Sequence, residues 1–263
     1  MPEVALENPT CSRLRPALGT FVSIYCVASN EADAERASAA AFEPFAAVHR
    51  LMHPVSGQDL GALRSVQIGR AVRVHPWTWK VLTLCADIND ASEGRFDPCL
   101  PERDGSMLDI ELPEPEVVVI RKRIALDLGG IAKGFAVDRA IEQLMAAGCI
   151  GGQVNAGGDM RVFGENTTPV WLRTDRGGRC ITLRDQACAL SDPLVRDRPS
   201  EHRGYYDRVA PVESGELNAA AVVAFNAATA DALTKCVLLC RRDAALLKRV
   251  LSQFDAACID LAS

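Results

Sequence analysis

Little in this chain points toward a membrane, a nucleic acid or a cysteine-bound metal. No stretch approaches the roughly 20 apolar residues of a spanning helix, so membrane insertion is not expected. The opening residues, MPEVALENPTCSRLRPALGT, hold no apolar run and no small-residue cleavage site, and Cys11 does not end an apolar segment. Neither a secretory nor a lipoprotein signal is expected there, and a cytoplasmic chain is the expectation. Basic charge is not in excess: 29 Lys and Arg face 34 Asp and Glu, for a net charge of −5, and the densest basic patch is the short run from Arg121 to Arg123. That balance excludes a general nucleic-acid binder. The 10 cysteines contain no C-x-x-C pair, and the closest two, Cys236 and Cys240, sit inside an apolar helical stretch. Buried thiols acting as small hydrophobes are expected rather than a metal or disulfide framework. His49, His53 and His75 lack metal-ligand spacing and read as structural. There is no linker, internal repeat or low-complexity tract.

What remains is an ordinary globular composition, 48% apolar and 24% charged over 263 residues, long enough to bury a large core. Residues 19–28 are rich in β-branched and aromatic side chains and predict a strand. Residues 31–52 predict one long helix, with Asn30 as its N-cap and Ala, Phe and Val at helical spacing. Residues 53–65 predict a loop. A short strand precedes Pro76, and a helix over 77–94 ends at Gly94. An irregular stretch follows residues 96–105. A strand over 117–128 then leads into a helix over 132–145. Residues 150–191 predict successive short strands, residues 192–207 a polar loop, and residues 217–226 a strand. Two helices, 227–240 and 241–254, and a last strand close the chain. Long helices early and late, with short strands between, predict an α+β protein with mainly antiparallel sheet flanked by helices.

The stretch LDLGGIAKGFAVDRA, residues 126–140, carries the first chemical signal. An apolar strand ends in Asp127, Gly129 and Gly130 let the backbone approach a ligand, and Lys133 stands where a helix begins. Unpaired first-turn N–H groups, the helix dipole and a lysine together suit a phosphate or diphosphate. Asp127 has three possible partners: a loop N–H, a ribose hydroxyl or a metal-bound water. The stretch is neither a Walker loop nor a G-x-G-x-x-G fingerprint. A second Gly-Gly turn, VNAGGDMRVFG, carries Asn155 and Asp159 at its lip. ATADALTKC opens a helix with Asp231 and Lys235 four apart, on one face. Each residue also has a plainer reading. Asp231 suits its helix N-terminus and can pair with Lys235 on the surface. Lys133 can be solvated, Cys99 a packed thiol, Trp77 and Trp79 packing residues. His202, Tyr205 and Tyr206 can be loop residues.

Taken together, these segments resemble the ApbE-type FAD:protein FMN transferases. LGTFVSI stands where the family has a Met-Gly-Thr strand, and FDPC where it has Phe-Asp-Pro-Thr. LDLGGIAKGFAVD, VNAGGD and TADALTK follow in order, from residue 18 to 236. The resemblance implies a single ApbE-like, T-fold-like domain over residues 18–263, with 1–17 as an N-terminal extension. It implies an enzyme that cleaves FAD with Mg²⁺, passes FMN to a Ser/Thr hydroxyl of an acceptor protein bearing a flavinylation motif, and releases AMP. It places Gly129, Gly130 and Lys133 against the FAD diphosphate. Asn155, Gly157, Gly158 and Asp159 would line the flavin nucleotide, with Gly19, Thr20, Asp97 and Asp127 near the pocket. It puts the metal on the Ala132 carbonyl and the Asp231 carboxylate, an oxygen-rich site suited to Mg²⁺.

The departures are specific. Lys235 stands where the family commonly has Thr, Arg64 where Asn is usual, and Cys99 where Thr is usual. The family's His-x-x-Asp-Pro-x-Thr-Gly segment has no aligned counterpart, which leaves His202 as the candidate base near its place. Asp231, Lys133, Lys235 and His202 are thus the expected catalytic group. Two alternatives follow from the departures: an FAD-binding homologue without transferase activity, and an FAD hydrolase giving FMN and AMP.

Overall fold

The computed structural model describes residues 8–174, 177–192 and 219–261. The chain opens on a hairpin, β1 (Thr10–Ala17) and β2 (Thr20–Val27). The eight residues of β1 pair in register with β2, from Thr10↔Val27 to Ala17↔Thr20. Residues 10–17 are therefore the edge strand of the domain rather than an extension outside it. Arg13, Arg15 and Pro16 lie on that edge, where charge and a missing N–H discourage further pairing.

Two helices follow where one was expected: α1 (Glu31–Ala40) and α2 (Glu43–Met52). Asn30 caps the first, its side chain accepting the Asp33 N–H. The break has a covalent cause. Pro44 has no N–H for the preceding turn, and its ring is tolerated only at the start of a helix. The expected loop after residue 53 contains α3 (Gln58–Ser65), whose N-cap Gly57 makes no side-chain cap and whose buried residues are only Leu60 and Leu63. Next come β3 (Ala71–Arg73), α4 (Pro76–Ala91), β4 (Ile110–Glu114) and β5 (Val117–Ile120), with β5 central in a small sheet ordered β3-β5-β4. The strand expected over 117–128 stops at Ile120, because Arg121 and Lys122 turn outward to Glu111 and Asp109. Pairing resumes only at the single bridge Leu126↔Cys99.

The second half supplies α5 (Ala132–Ala146), then β6 (Gly151–Ala156), β7 (Asp159–Gly164), β8 (Thr168–Thr174), β9 (Gly177–Leu183), β10 (Ala187–Ser191) and β11 (Ala220–Ala224). It closes with α6 (Ala227–Leu239), α7 (Ala244–Gln253) and β12 (Ala257–Ile259). The large sheet runs β1-β2-β6-β7-β10-β11-β12, antiparallel throughout. This is the expected α+β architecture, in one domain.

Burial explains the strand patterns. β2 alternates, sending Val22, Ile24 and Cys26 inward and leaving Phe21 and Tyr25 exposed. β10 and β11 are buried along nearly their whole length, and their sequences are small or apolar. β7 is as deeply buried but carries Asp159 and Arg161, each held in an ion pair. One face of the sheet packs on the main core, where Ile24, Leu128, Ile141, Leu144 and Leu233 are fully enclosed. A second cluster joins Met160, Val162, Cys188 and Ala221 of the sheet to Val170, Leu172 and Leu183 of the β8–β9 hairpin. The helices α5 and α6 thus lie side by side on the sheet, and their N-termini meet.

The 10 cysteines form no disulfide with one another, and seven of them are buried, as the small-hydrophobe reading expects. Among the described residues no helix is long and apolar enough to cross a membrane.

Candidate active site

Two hairpin turns stand side by side at one end of the large sheet. Leu18 and Gly19, with φ of 49° and 73°, close the β1–β2 hairpin; Gly157 and Gly158, at 66° and 104°, close β6–β7. The pairing of Val22 with Ala156 brings the two turns together. Asn155 Oδ1 accepts the Gly158 N–H at 3.0 Å and fixes the second turn. A Cβ on Gly157 would lie 2.3 Å from Thr20 Oγ1, so Thr20 packs directly on the turn and only glycine fits there.

The mouth of α5 lies against the same place. Asp127 Oδ1 accepts the Gly129 N–H at 2.7 Å, so of its three possible partners the loop N–H is the one engaged. Lys133 reaches Asp159 Oδ2 at 2.7 Å and Asp231 Oδ2 at 3.5 Å. Asp231 comes from the second turn of α6 and is wholly buried; its Oδ2 also accepts the Gly134 N–H at 3.2 Å. Lys235, one turn further on, donates to the Asp231 backbone carbonyl at 2.9 Å and to Asp231 Oδ1. Two lysines and two buried aspartates therefore form one contiguous cluster.

The two carboxylates are unlike. Burial, reinforced by the charge of Asp231, pushes Asp159 up from the usual carboxylate range, more than Lys133 and Lys235 pull it down. Burial works on Asp231 in the same direction, but Lys133, Lys235 and the Gly134 N–H outweigh it and hold that carboxyl below its ordinary value. Asp231 is thus the fixed negative charge of the cluster, and Asp159 the group more readily protonated.

A third aspartate sets the helices. Asp138, on the buried face of α5, accepts the Ala227 and Ala228 N–H groups at 2.8 and 2.9 Å and pairs with Arg161 at 3.0 Å. It caps α6 from a neighbouring helix, alongside the N-cap Asn226, which accepts the Thr229 N–H. Gly134 permits the close approach: a Cβ there would fall 2.1 Å from the Ala227 carbonyl oxygen. Asp138 and Arg161 had no role in the sequence reading. The available signal was an aspartate amid the apolar residues of a predicted helix, which needs partners if buried.

One expectation is corrected. The first N–H groups of α5 do not stand open as a group. Ile131 and Ala132 donate to the Leu128 carbonyl, Gly129 to Asp127 and Gly134 to Asp231. Positive charge at this mouth comes from Lys133 and Lys235 rather than from a bare helix end.

Among the other predicted residues, Asp97 accepts the Cys99 and Met107 N–H groups and organises its loop. That loop runs beside Asp127, whose N–H donates to the Pro98 carbonyl. Cys99 is packed and buried. Arg64 braces the carbonyls of Pro54 and Val55. His75 caps α4 through the Trp77 N–H, and His53 accepts the Val55 and Ser56 N–H groups. Trp77 packs edge-on against Phe135. His202, Tyr205 and Tyr206 lie outside the described residues.

Ala132 and Asp231, the implied metal ligands, do not fit a divalent cation as they stand. Asp231 Oδ1 and its carbonyl hold the Lys235 ammonium, and Oδ2 faces Lys133 and the Gly134 N–H. Among the described residues no group of three or more His, Cys, Asp or Glu side chains is placed to hold a metal ion.

The fold and site together define an antiparallel α+β domain with a lysine–aspartate cluster between two glycine turns and two helix mouths. The chain belongs to the ApbE family, whose sequence model matches residues 104–257. A FAD:protein FMN transferase from Rhodobacter capsulatus is 28% identical over 191 residues, which is 62% of this chain and 36% of that protein's length. A variant of the flavin transferase ApbE from Vibrio cholerae superposes with a TM-score of 0.79 at 17% identity, over 95% of this chain and 92% of the other. The apo flavinyl transferase ApbE from Pseudomonas stutzeri gives 0.77 at 14% identity, covering 97% and 93%. The ApbE protein from Thermotoga maritima gives 0.76 at 19%, covering 97% of both chains. These structural likenesses establish the fold.

Proposed function

We propose that this chain is a flavin transferase that cleaves FAD, passes FMN to a Ser/Thr hydroxyl of an acceptor protein, and releases AMP. The observation that carries the reading is the convergence of Lys133, Asp159, Asp231 and Lys235 where the two glycine turns and the α5 mouth meet. In the proposed reaction the acceptor oxygen attacks the FMN phosphorus, and the bond to the bridging oxygen breaks. AMP leaves with that oxygen, and the hydroxyl proton passes to a base, for which the sequence offers His202. Lys133 and Lys235 would hold the diphosphate and oppose the charge that builds on it. Asp231 would orient both ammonium groups, and Asn155, Gly157, Gly158 and Thr20 would line the nucleotide. Mg²⁺, on the Ala132 carbonyl and Asp231, would supply Lewis-acid chemistry by resemblance, but the contacts of Asp231 do not suit it.

The doubly engaged Asp231 also favours a second reading, a flavin-binding homologue without turnover. Product analysis separates the readings. AMP with flavin on an acceptor peptide supports the transferase, and AMP with free FMN supports a hydrolase. FAD that binds but stays whole supports the binding protein. A cytoplasmic location is part of the proposal, and cell fractionation tests it: recovery with exported proteins would contradict it.

A further inference from the structure

We propose that the Lys235 ammonium takes the place of a divalent cation at Asp231, so that this site works on its anionic ligand with two lysines and no resident metal. The inference rests on the flavin reading only for the identity of that ligand. Its basis is the occupancy of oxygen donors. Lys235 Nζ lies on Asp231 Oδ1 and, at 2.9 Å, on the Asp231 carbonyl oxygen. Both are donors of the type that Mg²⁺ or Mn²⁺ selects. The carbonyl oxygen also accepts the Thr234 hydroxyl at 2.7 Å. Oδ2 has the Gly134 N–H at 3.2 Å and Lys133 Nζ at 3.5 Å. Each oxygen of Asp231 thus already faces an ammonium, an N–H or a hydroxyl.

Lys235 is also held in position. Its side chain is only 14% exposed. A Cβ on Gly130 would touch Lys235 Cε, Cδ and Cγ at 3.4, 3.8 and 3.9 Å, so the stem runs along the glycine turn and delivers its ammonium to Asp231. A divalent ion brought to Asp231 would stand in contact with this ammonium and with Lys133 close by, in a buried setting where like charges repel strongly. A fixed ammonium supplies part of the same positive potential and is not removed by a chelator. Lys235 thus stands in for the ion at the carboxylate that the resemblance assigns to it, and Lys133 adds the second charge.

The test measures metal uptake directly. Free Mn²⁺ is followed by electron paramagnetic resonance as it is titrated into ligand-free protein, for the wild type, Lys235→Thr and Lys235→Thr with Asp231→Asn. The wild type is expected to take up no Mn²⁺ that depends on Asp231. Lys235→Thr is expected to gain one site, with a Mn²⁺ affinity roughly 10–100-fold above any residual binding by the wild type, the scale on which changes beside a ligand set move metal affinity. The added Asp231→Asn change should remove that site. A wild type that binds one Mn²⁺ as tightly as Lys235→Thr would overturn the inference. A folded Lys235→Thr protein, shown by its circular dichroism, that gains no site would also overturn it. A second measurement needs no variant: wild-type affinity for FAD, followed by flavin fluorescence, should be the same in EDTA and in Mg²⁺. A loss of affinity in EDTA counts against the proposal. If FAD does not bind at all, the flavin reading fails, and the Mn²⁺ titration still decides the role of Lys235.

Discussion

Gly134→Ala is expected to reverse the usual sign of a helix substitution. In an open helix interior, alanine stabilises relative to glycine by about 1 kcal/mol. Gly61 in α3 is such a position, since a Cβ there meets nothing within 4 Å. Gly61→Ala should therefore gain about 1 kcal/mol and raise Tm by roughly 2–4 °C. At Gly134 the added carbon would lie 2.1 Å from the Ala227 carbonyl oxygen, 2.5 Å from its carbon and 2.8 Å from the Ala228 nitrogen. All three are backbone atoms, so no side-chain rotation relieves the clash. Ordinary contact begins at 3.4 Å, and α6 must withdraw by more than an ångström. Overpacking of this kind costs about 1–3 kcal/mol. Withdrawal also weakens the Ala227 and Ala228 bonds to Asp138 and the Gly134 bond to Asp231. Bonds to charged acceptors contribute about 1.5–3 kcal/mol each when broken outright. After the helix gain, a net loss of about 2–4 kcal/mol follows, or roughly 4–16 °C in Tm. Urea unfolding and thermal melts of the two variants, side by side, measure it. If Gly134→Ala stabilises as Gly61→Ala does, the close helix contact that positions Asp231 is wrong.

The buried ion pair beneath α6 makes a second prediction. Asp138→Ala should cost about 3–5 kcal/mol in chemical denaturation, because Arg161 is left buried and uncompensated; adding Arg161→Met should recover part of the loss, whereas a pair that merely decorates the surface would give little loss and no recovery. A third concerns pH. The raised Asp159 contributes stability that is full below about pH 4 and is lost as pH rises through its folded value, so the Tm difference between wild type and Asp159→Asn should fall as pH climbs from about 4. The lowered Asp231 works in the opposite sense: its contribution is present above about pH 4 and lost as pH falls, so the difference from Asp231→Asn should shrink only below that point. Parallel curves for the two variants would contradict the assignment of unlike carboxylates. Finally, a thiol reagent should label the exposed Cys180 and Cys258 in the native protein and spare buried Cys26, Cys85, Cys188 and Cys236 until denaturant is added. Burial pushes Cys26 and Cys188 up to about 12, which removes the reactive thiolate as well as access.

Much of this arrangement was legible as residue chemistry. The strand β2, the Asn30 cap, the Gly-Gly turn of β6–β7 and the Asp231–Lys235 face follow from local pattern, and local pattern is what a sequence displays. The misses have local or long-range causes. The break before Pro44 was visible but outweighed by the helical spacing around it. The helix α3 escaped because it has a single i, i+3 apolar pair and an internal glycine. The strand β1 reads as polar because an edge strand buries little on either face. Long-range pairings lie beyond any window: β2 joins β6 across more than a hundred residues, and Asp138 serves the N–H groups of Ala227 and Ala228. The mouth of α5 is closed by a contact of the same long-range kind. Whether an N–H stands open depends on which distant carboxylate, here Asp231, folds against it.

The central claim is that this lysine–aspartate site splits FAD and moves FMN. The most direct measurement incubates the purified protein with FAD and a peptide carrying an Asp-x-x-Ser/Thr flavinylation motif, then separates the products by chromatography. The account predicts AMP and flavin-labelled peptide in equal amounts, both lost in Asp231→Asn protein that retains its fold. FAD recovered whole after demonstrated binding, or equal AMP release by the Asp231→Asn variant, would contradict it.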